Sequence, residues 1–373
     1  MRLLIATGLY PPEIGGPATY SKMLHDELPQ RGVEVSVLPF SGVRALPVGV
    51  RHIVYLLKLL KRGFAYDLIY AQDAVSVGLP AALAAFLLRK PLWVRIPGDY
   101  AWEQGVQRFG VTDTLDVFVK KTAHSIPVRM LRSLQTFVIR RAQCVIVPSE
   151  YMAKIVALSG IQKSKIRVVY SSVSEPKIAE GREELRERLG LHGKVIVSAG
   201  RLVPWKGMEE LISTFAELLR EMPEATLVIV GDGPLRESLL KHAKAVGIEG
   251  SVRFTGTLPQ GELFAYLKAA DVFVLNTAYE GLSHQLIEVM MMGTPLVTTS
   301  VGGNPELIHS EEEGLLVPYN DGEALGCALR RVLTTPGLGE ALSGRALKRS
   351  TEFTSKNALT QLLGVFKEFD YIN

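Results

Sequence analysis

Along the first half of the chain, short runs of consecutive apolar residues alternate with longer stretches in which apolar positions recur every three or four residues. The runs over 3–7, 33–38, 68–71, 92–96 and 144–147 are rich in Val, Ile and Leu and are bounded by Gly, Pro or charged residues. Such runs read as strands buried on both faces. The stretches between them are long enough for crossover helices, the first over about 19–30, so a parallel sheet is predicted. The pattern restarts with runs over 194–198, 225–230, 251–254, 271–275 and 295–299. The expected fold class is therefore α/β: two Rossmann-like, doubly wound domains facing a central cleft at the carboxyl ends of their strands. The domains are expected over 1–172 and 173–352, joined near 168–173 and followed by the polar stretch 174–184. A last helix within 353–373 is expected to pack back on the first domain.

Composition narrows the class. A chain of 373 residues with 47% hydrophobic and 21% charged residues is globular and long enough for two cores. Its only cysteines, Cys144 and Cys327, are too few for a disulfide framework or a thiolate zinc site. The longest apolar run, 79–88, is half of what a membrane span needs. Met1-Arg2 leads straight into a short apolar run without a signal-peptide pattern, so a cytoplasmic location is expected. The net charge of +4 conceals an asymmetry. Residues 1–170 hold 22 Lys and Arg against 11 Asp and Glu, whereas the remainder is net acidic. The first half is thus expected to face something anionic.

Candidate chemistry lies in the loops after strands. Gly15-Gly16-Pro17 sits between the first strand and the first helix, where backbone approaches a ligand and helix N–H groups can meet a phosphate; an ordinary turn is the alternative. Arg201 and Lys206 share the loop after the 194–198 strand and suit a diphosphate, as a fork and a point charge. Gly231-Asp232-Gly233-Pro234 lacks the third glycine of a dinucleotide fingerprint and reads as a tight turn. Glu280-Gly281-Leu282-Ser283-His284-Gln285-Leu286-Ile287-Glu288 follows the 271–275 strand. Read as a helix opening at Gly281 to Ser283, it spaces the two carboxylates by a rise of roughly 12 Å. That separation matches the sugar and the ribose of a nucleotide sugar, with N–H groups between them for the phosphates. His284 and the run Met290 to Met292 read as packing residues.

Together with Gly302-Gly303-Asn304-Pro305-Glu306, and in this order, these motifs resemble the retaining glycosyltransferases of the two-Rossmann (GT-B) type in glycosyltransferase family 4, over most of the chain. The resemblance implies transfer of a hexose-type sugar from a nucleoside diphosphate sugar (UDP or GDP) to a glycan or lipid-linked acceptor, with retention, without metal and without a further cofactor. It implies that Glu280 faces the transferred sugar and Glu288 bonds the ribose. Arg201 and Lys206 would stabilise the departing diphosphate, Gly15 and Gly16 would contact it through backbone, Gly281, Leu282 and Ser283 would hold the phosphates, and the turn to Leu258 would meet the base. The absence of an Asp-x-Asp triplet agrees with metal independence. Many relatives carry a His after the fourth strand; here the loop reads Pro97-Gly98-Asp99-Tyr100-Ala101-Trp102-Glu103. Asp99 could take that place, or Glu103, or Asp99 could simply cap a helix. A nucleotide-sugar epimerase and an NAD-dependent oxidoreductase remain as alternatives on the same architecture; the missing fingerprint speaks against the second.

Two stretches account for much of the positive charge. Residues 52–62 combine leucines with Lys58, Lys61 and Arg62. Residues 127–141 place Met130, Leu131, Leu134, Phe137 and Val138 on one helical face with four arginines elsewhere. Basic amphipathic helices suit an anionic membrane surface, the alternative being that both faces pack on the sheet. A peripheral enzyme on the cytoplasmic face is one expectation, and nucleic acid is not an expected partner.

Overall fold

A computed structural model describes residues 1–13, 15–173, 175–176 and 178–372. Its contacts divide the chain into two units, residues 1–172 with 355–373, and residues 173–354. The first unit carries β1 (Arg2–Thr7), β2 (Glu34–Pro39), β3 (Leu68–Ala71), β4 (Leu92–Arg95), β5 (Cys144–Val147) and β6 (Ile166–Val168). They pair in parallel in the order β2-β1-β3-β4-β5-β6. The second unit carries β7 (Val195–Ala199), β8 (Thr226–Val230), β9 (Val252–Gly256), β10 (Val272–Leu275), β11 (Leu296–Thr299) and β12 (Leu315–Val317). These too are parallel, in the order β12-β11-β10-β7-β8-β9. The unbroken apolar runs follow from this topology, since helices cover both faces and β3, β4, β5, β7, β10 and β11 are buried at every position.

Strand order reverses once in each sheet. β1 lies between β2 and β3, and β7 lies between β8 and β10. At such a switch point the loops after two adjacent strands run to opposite faces and leave a crevice outside the carboxyl ends. The crevices are bounded by the loops after β1 and β3 in one unit and by those after β7 and β10 in the other.

Ten strands lie where the apolar runs predicted them. β6 and β12 were not anticipated: each is three residues long and forms a sheet edge, too short to build a periodic signal. The first helix, Gly16–Glu27, starts earlier than its apolar pattern suggests because Pro17 fits its first turn. The helix Ser355–Glu368 belongs to the first unit. Trp93 of β4 stacks on Phe366 with ring centroids 5.0 Å apart and meets Phe369 and Tyr371 edge-on. Gln361 accepts a hydrogen bond from the Tyr170 amide at 2.9 Å. Among the described residues no helix is long and apolar enough to cross a membrane.

Candidate active site

In the second unit the loops after β7 and β10 are fastened together. Asn276 donates through Nδ2 to the Gly207 carbonyl at 3.0 Å, and its Oδ1 accepts from the Asn320 amide at 3.2 Å. The Trp205 carbonyl accepts from the Ala278 amide at 2.7 Å and from the Thr277 hydroxyl at 3.1 Å. Gly207 adopts a left-handed φ of 51° against Asn276, where no side chain fits. Lys206, held between these ties, forms an ion pair with Glu280.

Glu280 is fixed from its other side by the loop after β11. The Gly303 amide donates to the Glu280 carbonyl at 2.9 Å. A Cβ on Gly302 would overlap that carbonyl, and one on Gly303 would overlap the carbonyl of Gly281. The Gly302-Gly303 pair is therefore required for the two loops to touch. The following helix is His284–Met292, capped by Ser283, whose Oγ accepts from the Leu286 amide at 3.3 Å. Glu280 thus lies ahead of the helix, and loop contacts, not helix rise, set its position. Gly281, Leu282 and Ser283 are buried between it and the helix. Glu288 projects from within the helix, where its carboxylate accepts from Gln260 at 3.3 Å and Gln285 at 3.1 Å. Loss of hydration pushes its pKa up to about 7.

Arg201 is exposed at the start of the loop after β7. Behind it, Gly231 and Gly233 press against the carbonyls of Gly200 and Leu202 with no space for a Cβ, and the Leu202 amide donates to the Asp232 carbonyl at 2.9 Å. Gly-Asp-Gly-Pro is a turn that supports the Arg201 loop, as its sequence indicates. Leu258 follows β9 and is half-buried.

In the first unit Gly16 opens the first helix. Pro17 has no N–H, while Ala18 and Thr19 direct theirs to the Gly15 carbonyl at 3.0 and 3.1 Å. A cavity of about 900 Å³ lies at the carboxyl ends of β1, β3 and β4, with Arg44, Arg51, His52, Gln72, Asp73 and Glu103 among its lining residues. Asp73 accepts backbone N–H bonds from Val75 at 2.8 Å and Val77 at 3.1 Å, yet burial still raises its pKa above the ordinary carboxyl value. Gln72 is 1% exposed, and both polar atoms of its amide lack a partner. A buried amide left unsatisfied costs about 1–3 kcal/mol, and this one lies in the wall of the cavity.

The same cavity separates Asp99 from Glu103. Asp99 is the N-cap of the helix Tyr100–Arg108: Oδ1 accepts from the Trp102 amide at 2.8 Å and Oδ2 from Gln135 at 2.9 Å. It is 4% exposed and does not line the cavity, whereas Glu103 does. The capping role is the one this geometry supports for Asp99. Sequence reading also passed over Asn276, Thr277, Gln260, Gln285, Gln72 and Asp73. The position of Gln72 and Asp73, and of Asn276 and Thr277, directly after an apolar run is the signal that could have drawn attention to them.

Residues 181–349 match the family model "Glycosyl transferases group 1", and residues 4–171 match "Glycosyl transferase 4-like domain". The chain belongs to the group 1 glycosyltransferases. Alpha-monoglucosyldiacylglycerol synthase of Streptococcus pneumoniae is 26% identical over 94% of this chain and 83% of its own. GDP-mannose-dependent alpha-(1-6)-phosphatidylinositol monomannoside mannosyltransferase of Mycolicibacterium smegmatis is 35% identical over 44% of this chain and 45% of its own. The fold is that of Anabaena HepE, solved in complex with UDP and glucose, with a TM-score of 0.78 over 99% of both chains at 18% identity. As a group 1 glycosyltransferase the protein is an enzyme, and its switch-point loops are where its chemistry is to be sought.

Proposed function

We propose that this glycosyltransferase moves a hexose from a UDP or GDP sugar to a glycan or lipid-linked acceptor, with retention of anomeric configuration and without a metal ion. The observation that carries the reading is the Lys206–Glu280 pair, fastened between the two loops of the second unit's switch point and followed by a capped helix bearing Glu288. Breaking the bond from the anomeric carbon to the diphosphate leaves negative charge on the leaving group. Lys206, Arg201 and the amino end of the His284–Met292 helix are the positive groups at hand to stabilise it. The acceptor hydroxyl oxygen bonds to that carbon from the same face, and its proton passes to the departing phosphate oxygen. Glu280 orients the sugar, and Glu288 accepts from the ribose hydroxyls. The first unit's cavity takes the acceptor, where Gln72 finds its missing hydrogen bonds and Glu103 takes the place foreseen for Asp99.

Relatives named for diacylglycerol and phosphatidylinositol substrates support an acceptor presented at a membrane, with the enzyme peripheral on its surface. The test is thermal stabilisation by UDP, GDP, ADP and dTDP, each with and without EDTA, alongside NAD. A ligand at a hundred times its Kd adds about 2.7 kcal/mol. A shift with UDP or GDP that survives EDTA is expected. A shift with NAD alone, or sugar epimerisation without an acceptor, overturns the proposal.

A further inference from the structure

Three helices of the first unit share a feature that the reaction does not use. The helices Val50–Gly63, Gly78–Leu88 and Ile126–Arg141 contain no Asp or Glu. The same helices, with Arg89 and Lys90 directly after the second, hold Arg51, Lys58, Lys61, Arg62, Arg129, Arg132, Arg140 and Arg141. Among the described residues none of these cations pairs with a carboxylate. Lys58 and Arg62 end on the carbonyls of Gly42 and Val37, Arg132 on those of Lys121 and Val119, and Arg141 lies over two aromatic rings. In the second unit, by contrast, Arg182, Arg186, Arg188, Arg220, Arg330 and Arg331 all sit on carboxylates. The three helices thus combine an absence of acidic side chains with cations that rest on carbonyls or rings.

Their outer face is also apolar. Gly78–Leu88 packs between the other two helices: Gly63 abuts Leu88, and Gly78 abuts Val138. Each helix turns a stripe outward, with Ile53 and Leu57 on the first, Phe86 and Leu87 on the second, and Met130 on the third, all about 60% exposed. The stripes are not the faces expected from sequence. Leu131 and Leu134 line the cavity and Val138 is buried, while Met130 and Phe137 point away. Arg141 joins two of the helices, with its guanidinium 5.1 Å from the Phe86 ring and 5.0 Å from the Phe137 ring. It also borders two recesses. One, of about 790 Å³ at the amino ends of β4 and β5, is lined by Arg89, Lys90, Arg141 and Lys165 with Phe86 and Leu87. The other, of about 510 Å³, is lined by Arg132, Arg140 and Arg141 with Phe137.

We infer that this three-helix face docks on an anionic bilayer, with lipid phosphates in the two recesses that share Arg141 and with Phe86, Leu87, Met130 and Phe137 entering the acyl boundary. Arg89, Lys90, Arg140, Arg141 and Lys165, which line the two recesses without a carboxylate partner among the described residues, are complementary to phosphatidylglycerol-like headgroups, and aromatic and aliphatic tips beside them suit the interface of a membrane. The inference rests on the proposed membrane-presented acceptor only for its purpose; the surface itself stands on charge and exposure.

Flotation of the full chain with phosphatidylglycerol and phosphatidylcholine vesicles, at low and high salt, tests it. Binding is expected to phosphatidylglycerol only and to fall with salt. Arg140→Ala with Arg141→Ala should weaken partitioning roughly thirtyfold, the equivalent of about 1 kcal/mol per cation. Phe86→Ser with Leu87→Ser should also reduce it, at exposed sites where folding tolerates the change. Failure of the unaltered chain to bind anionic vesicles, undiminished binding by both double variants, or a salt-stable dimer abolished by Phe86→Ser with Leu87→Ser would each overturn the inference. The nucleoside diphosphate melt, run on the same variants, reports on folding and on the transferase reading separately from docking.

Discussion

Lys206 is bound to Glu280 by an ion pair in which the side chains are only 14% and 16% exposed. A cation suited to a leaving diphosphate is thus already occupied by the carboxylate suited to the sugar. The pair keeps each partner's charge balanced in a partly desolvated site, and the arriving donor must compete for both.

Neutralising the carboxylate releases the lysine. Glu280→Gln should lower transfer by orders of magnitude while nucleoside diphosphate binding is retained or tightened, as titration calorimetry beside turnover will show. Lys206→Ala and Arg201→Ala should each cost about 2–4 kcal/mol in kcat/KM, by analogy with loss of an oxyanion donor. Full turnover in both variants would remove them from the phosphate site.

Glu288 brings a pH dependence. Its pKa of about 7 stands above the ordinary 4.5, so between those values the folded chain holds a proton that the unfolded chain has lost. Stability from this group is present below the unfolded pKa and declines as pH rises through about 7. Accepting from ribose hydroxyls favours the ionised form, so nucleoside diphosphate affinity should rise over the same range with release of a proton. Calorimetry in buffers of different ionisation enthalpy measures that release, and Glu288→Gln should abolish both the release and the slope.

Gln72 separates function from stability. An apolar residue of similar length removes an unsatisfied buried amide, so Gln72→Leu should leave the melting temperature unchanged or raise it. If the amide serves the acceptor, the same variant should raise the acceptor KM and spare donor binding. A lower melting temperature with an unchanged KM would mean that Gln72 is structural.

Gly302 tests the contact behind Glu280. Ala there meets both a left-handed φ of 60° and the Glu280 carbonyl, so Gly302→Ala should lose transfer and destabilise the second unit by more than the roughly 1 kcal/mol that backbone strain alone costs. Gly337→Ala, at φ 75° with nothing nearby, is the control that carries only the strain. Equal melting shifts in the two variants would show that the contact yields.

The fold was legible because its signal is repeated: strands such as β3, β5 and β10 are apolar at every position and lie between stretches of helical length. The edge strands β6 and β12 were not, because three residues carry no period. The candidate site divides along the same line. Lys206 and Glu280 could be singled out as charges in loops after strands and Glu288 as the carboxylate on the helix that follows, and the pairing of the first two required coordinates. Asn276 and Thr277 follow an apolar run, but their work is to bind carbonyls of a loop some seventy residues away in the chain, which no local pattern shows. For Asp99 the sequence left a sugar contact and a helix cap open, and the Trp102 and Gln135 bonds support the cap.

The helix Ser355–Glu368 gives the chain an order of assembly. The first unit is interrupted after Ser172, and the piece that covers Trp93 follows only after the whole of the second unit has been made. At ordinary rates of synthesis that interval is on the order of ten seconds or more. Throughout it, β4 presents an uncovered tryptophan while a complete downstream unit is free to fold. The unit begun first is thus the one finished last, and a chain shortened at its carboxyl end is damaged in the unit that holds its amino end.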